Sequence, residues 1–261
     1  MRGYIDDLRL AHVLADEADG LTMARFRALD LTVETKPDLT PVSDADKGTE
    51  QALRSILRRA RPRDAVHGEE FADTGHGPRR WVLDPIDGTK NYVRGVPVWA
   101  TLIALMDGDL VAASVVSAPA LQRRWWAARD AGAWTGRSLA SARPCQVSKV
   151  GSLGDASISY SDLDGWSLQS RLRPFLDLLA AAWRTRAYGD FWSYMLVAEG
   201  AVDIAAEPEV ALHDLAAVAL VVEEAGGRFT DLQGRPGPAA GSAVATNGLL
   251  HDVVLSRLAA R

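Results

Sequence analysis

The stretch Trp81-Val-Leu-Asp84-Pro85-Ile86-Asp87-Gly88-Thr89 decides how the rest of the chain is read. An apolar run ends in two carboxylates, Asp84 and Asp87, and these are followed by a glycine and a hydroxyl. Pro85 fixes φ and has no amide donor, so the chain turns sharply between the acids and leaves the Ile86 carbonyl as a further candidate oxygen ligand. A hard divalent cation such as Mg²⁺ takes carboxylate and carbonyl oxygens and commonly shares its shell with a substrate phosphate. If a helix starts at Lys90-Asn91-Tyr92, the unpaired amides of Gly88 and Thr89 point at an anion. The competing reading is a solvated loop, because Asp-Pro and Asp-Gly are common turn dipeptides.

Three other acidic stretches bear on that choice. Upstream, Val66-His-Gly-Glu69-Glu70-Phe71 puts paired acids at the end of a short strand, where they repel one another unless a cation or solvent intervenes. Earlier, Thr40-Pro-Val-Ser43-Asp-Ala-Asp46 leads into a helix; Ser43 followed by Asp46 reads as a cap worth about 1 kcal/mol, or Asp46 pairs with a hydroxyl such as Thr89 to polarise a water. Downstream, Leu212-His213-Asp214-Leu215 sets an acid at the start of an apolar helix striped by Leu215, Ala219 and Val222. The helix dipole alone favours an acid there, by roughly 0.3–1 kcal/mol, yet the position also aims a carboxylate out of a rigid element. His213 reads as a packing residue, since hard cations prefer oxygen.

The 261 residues can bury a large core, and a hydrophobic share of 48% with 24% charged residues is that of an ordinary globular chain. A net charge of −5 gives no overall pull toward nucleic acid or an anionic membrane, so an anionic substrate needs a metal to meet it. The single cysteine, Cys145, makes no internal disulfide and the five histidines are scattered, which fits a reducing cytoplasm and argues against a zinc cluster. The start Met-Arg-Gly-Tyr-Ile-Asp-Asp lacks a signal-peptide core, and the uncharged run from Val96 to Met106 is too short to span a bilayer, so neither export nor membrane insertion is expected.

Periodicity predicts helices over 4–28 and 44–60, then strands at 65–67 and 81–83, a hairpin of 99–106 with 110–117, and its continuation over 121–128. From about 150 the pattern alternates: strand 156–160, helix 168–182, strand 184–188, helix 190–199, strand 201–206 and helix 212–225, the last closing on Gly226-Gly227. Strands at 227–230 and 242–246 and a helix from Leu249 finish the chain. Such mixing predicts a layered α+β or α/β sandwich in two lobes, about 1–149 and 150–261.

Taken in order, Thr40-x-x-Ser-Asp-x-Asp46, Gly68-Glu-Glu70, Trp81 to Thr89 and Leu212-His-Asp-Leu-Ala-Ala217 together resemble the inositol monophosphatase family of magnesium-dependent, lithium-sensitive phosphatases, over almost the whole chain. The segments Asp87 to Trp99, Ala118 to Trp126 and Arg186-Ala-Tyr-Gly-Asp-Phe191 are most similar to the family's actinobacterial histidinol-phosphatase branch. One departure is His213, where the family often has Trp. The resemblance implies an α+β, αβαβα sandwich of the inositol monophosphatase/fructose-1,6-bisphosphatase type, built as a single domain over 1–261. It implies a first Mg²⁺ held by Glu69, Asp84 and the Ile86 carbonyl, a second by Asp84, Asp87 and Asp214, and a third, weaker one near Glu69. Asp87, Gly88 and Thr89 are then phosphate-binding, Asp46 with Thr89 and Glu69 catalytic, and Glu70 a supporting acid. Asp190, Glu207 and Arg186 fall where the leaving alcohol sits, and a homodimer is implied. The expected activity is hydrolysis of L-histidinol phosphate, with inositol monophosphate or another small phosphate ester as the alternative substrate. A scaffold that keeps the fold and binds phosphate without turnover is the rival of another class.

Overall fold

A strand that is apolar at every position is stable where both faces of its sheet are covered, and this chain supplies helices for both. The structure, a computed structural model, describes residues 4–37 and 39–259; residues 1–3, Asp38 and residues 260–261, part of the span read as one domain, lie outside the described residues.

The first part of the chain runs α1 (Ile5–Arg25), β1 (Val33–Thr35), β2 (Pro41–Ser43), α2 (Asp44–Ala60), β3 (Ala65–Gly68), β4 (Arg79–Asp87), α3 (Thr89–Val93), β5 (Ala100–Asp107), β6 (Leu110–Ala118), β7 (Arg123–Ala128), β8 (Ala133–Gly136) and β9 (Arg143–Pro144). The second part runs β10 (Ser157–Ser159), α4 (Asp164–Leu168), α5 (Leu172–Ala181), β11 (Arg184–Arg186), α6 (Asp190–Ala198), β12 (Ile204–Glu207), α7 (Leu212–Glu224), β13 (Arg228–Thr230), β14 (Ala243–Thr246) and α8 (His251–Leu258). Among the described residues, β3 to β9 form one sheet in sequence order, and β10 to β14 form another in the order β11-β10-β12-β14-β13.

Side-chain alternation along the strands builds the layers. In β5, Ile103 and Leu105 face the helix pair α1 and α2, where Leu14, Ala18, Leu53 and Leu57 meet them. Leu102, Ala104 and Met106 face the other way, onto α6 and α7. Those two helices lie between the sheets, which is why Leu215 to Val222 are buried on every side of α7. A third cluster joins the smaller sheet to α4, α5 and α8 through Ile158, Trp166, Phe175 and Val254. The result is the αβαβα sandwich.

Most elements fall where expected, and α2 has the expected bounds. Three of the differences have a clear local cause. The first helix ends at Arg25 because Phe26 is extended and Arg27 is left-handed, at φ 61°. The helix expected over 168–182 starts late, at Leu172 in α5, because Ser170 is left-handed at φ 56° and Pro174 is tolerated only in a first turn, while the separate α4 ends at Leu168. The strand expected at 81–83 runs from Arg79 through both acids. No helix among the described residues is long and apolar enough to cross a membrane.

Candidate active site

Asp84 and Asp87 are an odd number of residues apart, so in a regular strand their side chains would leave opposite faces of the sheet. The register shows why they do not: Asp84 pairs with Leu102 but Asp87 with Ala100, so β4 carries one residue more than β5 between these pairs. Pro85 supplies the cause, since it cannot donate to the ladder, and the extra residue forms a bulge that re-aims the following side chain. Thr101 Oγ1 donates to the Pro85 carbonyl at 2.8 Å and the Ile86 amide to Asp84 Oδ1 at 3.0 Å, fixing the turn.

Neighbouring elements bring in the other acids. Parallel pairing of Gly68 with Leu83 sets the end of β3, and hence Glu69, alongside Asp84. Asp214, in the first turn of α7, caps its own helix by accepting the Ala211 amide at 3.0 Å, and also reaches the cluster. One carboxylate oxygen each from Asp84, Asp87 and Asp214 lie within 4.8 Å of one another. Asp87 is held from behind by the Phe191 amide of α6, at 2.7 Å.

Burial, with the charges of Glu69, Asp87 and Asp214, pushes the Asp84 carboxyl well above the usual carboxylate range. Burial and the charges of Asp190 and Asp214 do the same to Asp87. Asp214 is raised by burial against the opposing effects of His213 and the Ala211 amide. Close-set acids that all resist ionisation form a cluster that nearby positive charge would stabilise, and its all-oxygen donor set suits a hard cation.

Beyond the acids the chain turns through Gly88, at φ 85°, where an added Cβ would lie 3.1 Å from the Val98 carbonyl oxygen and 3.2 Å from Asp190 Oδ2. Glycine is therefore required, and α3 starts directly after it, with the Gly88 and Thr89 amides at its open end. The Thr89 hydroxyl has one proton and two acceptors, the Ile86 carbonyl at 2.9 Å and Asp46 Oδ1 at 3.3 Å. Asp46 answers both readings of its sequence position: Oδ2 accepts the Ser43 amide at 2.8 Å as a cap, while Oδ1 faces Thr89. A cleft of about 600 Å³ opens over these groups, lined also by Glu69, Lys90, Asp190 and His213.

At the far side of the cleft stands Asp190, with Glu207 beside it but outside the cleft's lining, the two joined by a residue that the sequence did not reveal. Ser161 Oγ donates to a Glu207 carboxylate oxygen and accepts the Asp190 amide at 3.0 Å, holding Asp190 in its left-handed conformation. The signal that could have found it is topological: Ser161 follows the carboxyl end of β10, whose parallel neighbour β12 ends in Glu207, and ligands of α/β sheets gather at such ends. Burial, more than the opposing Ser161 hydrogen bond, together with the charges of Asp190 and Asp214 pushes Glu207 up to about 8. Burial and the charge of Asp214 push Asp190 up to about 6. Arg186 is not brought in: it is exposed, its guanidinium donates to the Thr185 carbonyl at 2.7 Å, and it is absent from the described lining of the cleft.

Lys36 was also not legible. Its ammonium lies 2.6 Å from Glu69 and 2.7 Å from Glu70, so it bridges the pair. Burial and the neighbouring Glu69 raise Glu70 to about 7 against the opposing pull of Lys36. Lys36 follows β1, which pairs only with β2 among the described residues, and nothing in its local spacing marks it. His213 packs as expected, stacked on His67 with ring centroids 6.1 Å apart.

The raised Glu207 carboxyl has a consequence for stability. A carboxyl that holds its proton more tightly when folded contributes fully below its ordinary value near 4.5, and that contribution is lost as pH rises toward 8. In EDTA, Glu207→Gln is therefore expected to melt about 2–4 °C above the parent at pH 8.5 and level with it near pH 4.5. An equal change at both pH values would refute a titration origin.

A model of the inositol monophosphatase family matches residues 7–260. The chain is 66% identical to the histidinol-phosphatase of Streptomyces coelicolor, covering 99% of this chain and 98% of that one. It is 60% identical to the histidinol-phosphatase of Mycobacterium tuberculosis, covering 97% and 98%. A solved inositol monophosphatase from Zymomonas mobilis superposes with a TM-score of 0.86 at 32% identity, covering 99% of each chain.

Proposed function

The chain belongs to the inositol monophosphatase family and is a phosphoric monoester hydrolase, and on that premise we propose that it hydrolyses L-histidinol phosphate to L-histidinol and phosphate, as in histidine biosynthesis. The observation that carries the hydrolytic reading is the convergence of Asp84, Asp87 and Asp214 oxygens within 4.8 Å beneath the Gly88–Thr89 turn.

Glu69, Asp84, the Ile86 carbonyl, Asp87 and Asp214 would hold two Mg²⁺ ions, with a third near Glu69. Bound there, Mg²⁺ supplies the positive charge that offsets acids and phosphate and eases deprotonation of the attacking water. The chain's own part is positioning. The Gly88 and Thr89 amides receive phosphate oxygens, and the Thr89 hydroxyl with Asp46 orients the water and takes up its proton. Phosphate monoesters hydrolyse extremely slowly unaided, so a site that aligns attack in line and excludes loose geometries has a large barrier to lower. No side-chain nucleophile is called for.

Substrate choice is supported by the acids at the far side, Asp190 on the cleft and Glu207 behind it. Ser161 accepts the Asp190 amide and donates to the Glu207 carboxylate, and both half-buried carboxyls ionise more readily beside a cation. The ammonium of histidinol phosphate offers that charge. The hydroxyls of inositol would offer hydrogen bonds but no charge. The purified protein with Mg²⁺ is expected to show a kcat/KM for histidinol phosphate at least about tenfold above those for inositol 1-phosphate, fructose 1,6-bisphosphate and adenosine 3′,5′-bisphosphate, a margin of about 1.4 kcal/mol. A smaller margin overturns the assignment of substrate while leaving the reaction type.

The same reading includes inhibition by lithium, a cytoplasmic location, a single domain of two lobes and a homodimer. For the last, Leu168, Leu176 and Trp183, exposed in and just after α4 and α5, offer apolar surface that a second copy would cover.

A further inference from the structure

Glu50 lies one turn after Asp46 on α2, has no exposed surface, and touches neither the cleft nor the acid cluster directly. Its Oε2 accepts the Glu70 backbone amide at 2.7 Å, and its Oε1 accepts Arg54 Nε at 2.6 Å. The same guanidinium donates to the Phe71 carbonyl at 2.9 Å and to Thr74 Oγ1 at 3.3 Å, so the segment after β3 is tied to one buried carboxylate. The fit is close: a Cβ added to Gly68 would fall 2.0 Å from Glu50 Oε1. The glycine of Gly68-Glu69-Glu70 is thus explained by the carboxylate that presses on it.

A buried ion pair is a poor way to gain stability, since desolvating two charges offsets most of their attraction. What this one gains is placement. Asp46 and Glu50 are i and i+4 and share a face of α2, so one rigid helix sets Asp46 against Thr89 and, one turn on, sets the Glu69–Glu70 turn against Asp84. We infer that Glu50, neutralised by Arg54, is a positioning residue that fixes Glu69 at the distance from Asp84 needed to share a cation, and so sets the affinity of the site for Mg²⁺. This rests on the metal-dependent reading of the site proposed above.

The test uses the full chain and two variants, with Mg²⁺ binding measured by titration calorimetry and turnover measured across Mg²⁺ concentration. Glu50→Gln keeps the shape but turns an NH₂ group toward a donor, either Arg54 or the Glu70 amide. Gly68→Ala keeps both charges and pushes the Glu50 tip aside, and it carries the test if Glu50→Gln fails to fold. Each is expected to weaken Mg²⁺ binding about 10–100-fold, the scale seen when groups behind metal ligands are removed. The half-saturating Mg²⁺ for turnover should shift by the same factor, with kcat at saturating Mg²⁺ within about threefold of the parent. A folded variant that binds Mg²⁺ within about twofold of the parent overturns the inference. A parent that binds no Mg²⁺ overturns instead the metal-dependent reading.

Discussion

In Asp84→Asn, turnover at saturating Mg²⁺ is expected to fall at least about 10³-fold, which corresponds to losing about 4 kcal/mol of charge stabilisation. The substitution keeps the shape of the side chain and the acceptor for the Ile86 amide, so the bulge that aims Asp87 should survive. What it removes is the central negative charge of a cluster in which burial and three neighbouring acids already oppose ionisation. Without Mg²⁺, losing that charge relieves repulsion, and the variant should melt several degrees above the parent. With Mg²⁺ the order should reverse, because the parent gains stability by binding and the variant gains little. Thermal melts with and without Mg²⁺, beside kinetics, check both halves. A variant that is more stable but inactive cannot be dismissed as misfolded. Turnover retained within about tenfold would remove Asp84 from the centre of the site, and a parent with no turnover at all would favour the non-catalytic scaffold.

The parts of this site that could be read from sequence are those whose geometry is settled within a few residues. Asp84 and Asp87 belong to one bulge created by Pro85, and Gly88 is demanded by the turn that follows. Asp214 is visible as an acid opening a helix that is otherwise buried all round. Helix α2 is legible from end to end because Ser43 and Asp46 cap it and Pro62 lies just beyond. Lys36, Ser161 and Glu50 were missed for a common reason. Each acts on a partner fixed by sheet register or helix docking, between 20 and 46 residues away along the chain. Arg186 shows the reverse: it is close in sequence to Asp190, yet the left-handed turn that starts α6 directs the acid into the cleft while the arginine stays on the rim of β11. Here proximity along the chain was a poor guide, because the positive φ at Gly189 and Asp190 redirects the backbone between the two residues.

The two readings of Asp46, helix cap and catalytic partner, both have a hydrogen bond in the structure, and they can be separated by one atom. Oδ2 takes two donors, the Ser43 amide at 2.8 Å and the Ser43 hydroxyl at 2.5 Å, whereas Oδ1 faces only the Thr89 hydroxyl at 3.3 Å among these bonds. In Asp46→Asn the carboxamide oxygen should stay with the two donors and the NH₂ group should turn to Thr89. The cap then persists, and stability should change by no more than about 1 kcal/mol. The acceptor for the proton of Thr89 and its water is lost, so kcat should fall about 10²–10⁴-fold, the range for removing a positioned general base. Mg²⁺ affinity should hold within about twofold, because Asp46 is outside the proposed ligand set. Asp46→Ala removes both functions and should add about 1–2 kcal/mol of destabilisation to the same loss of turnover. Denaturant titrations and kinetics at saturating Mg²⁺ measure the two effects independently. If Asp46→Asn retains kcat within about fivefold, the carboxylate is a cap alone, and the water must be oriented by Thr89 with some other acceptor.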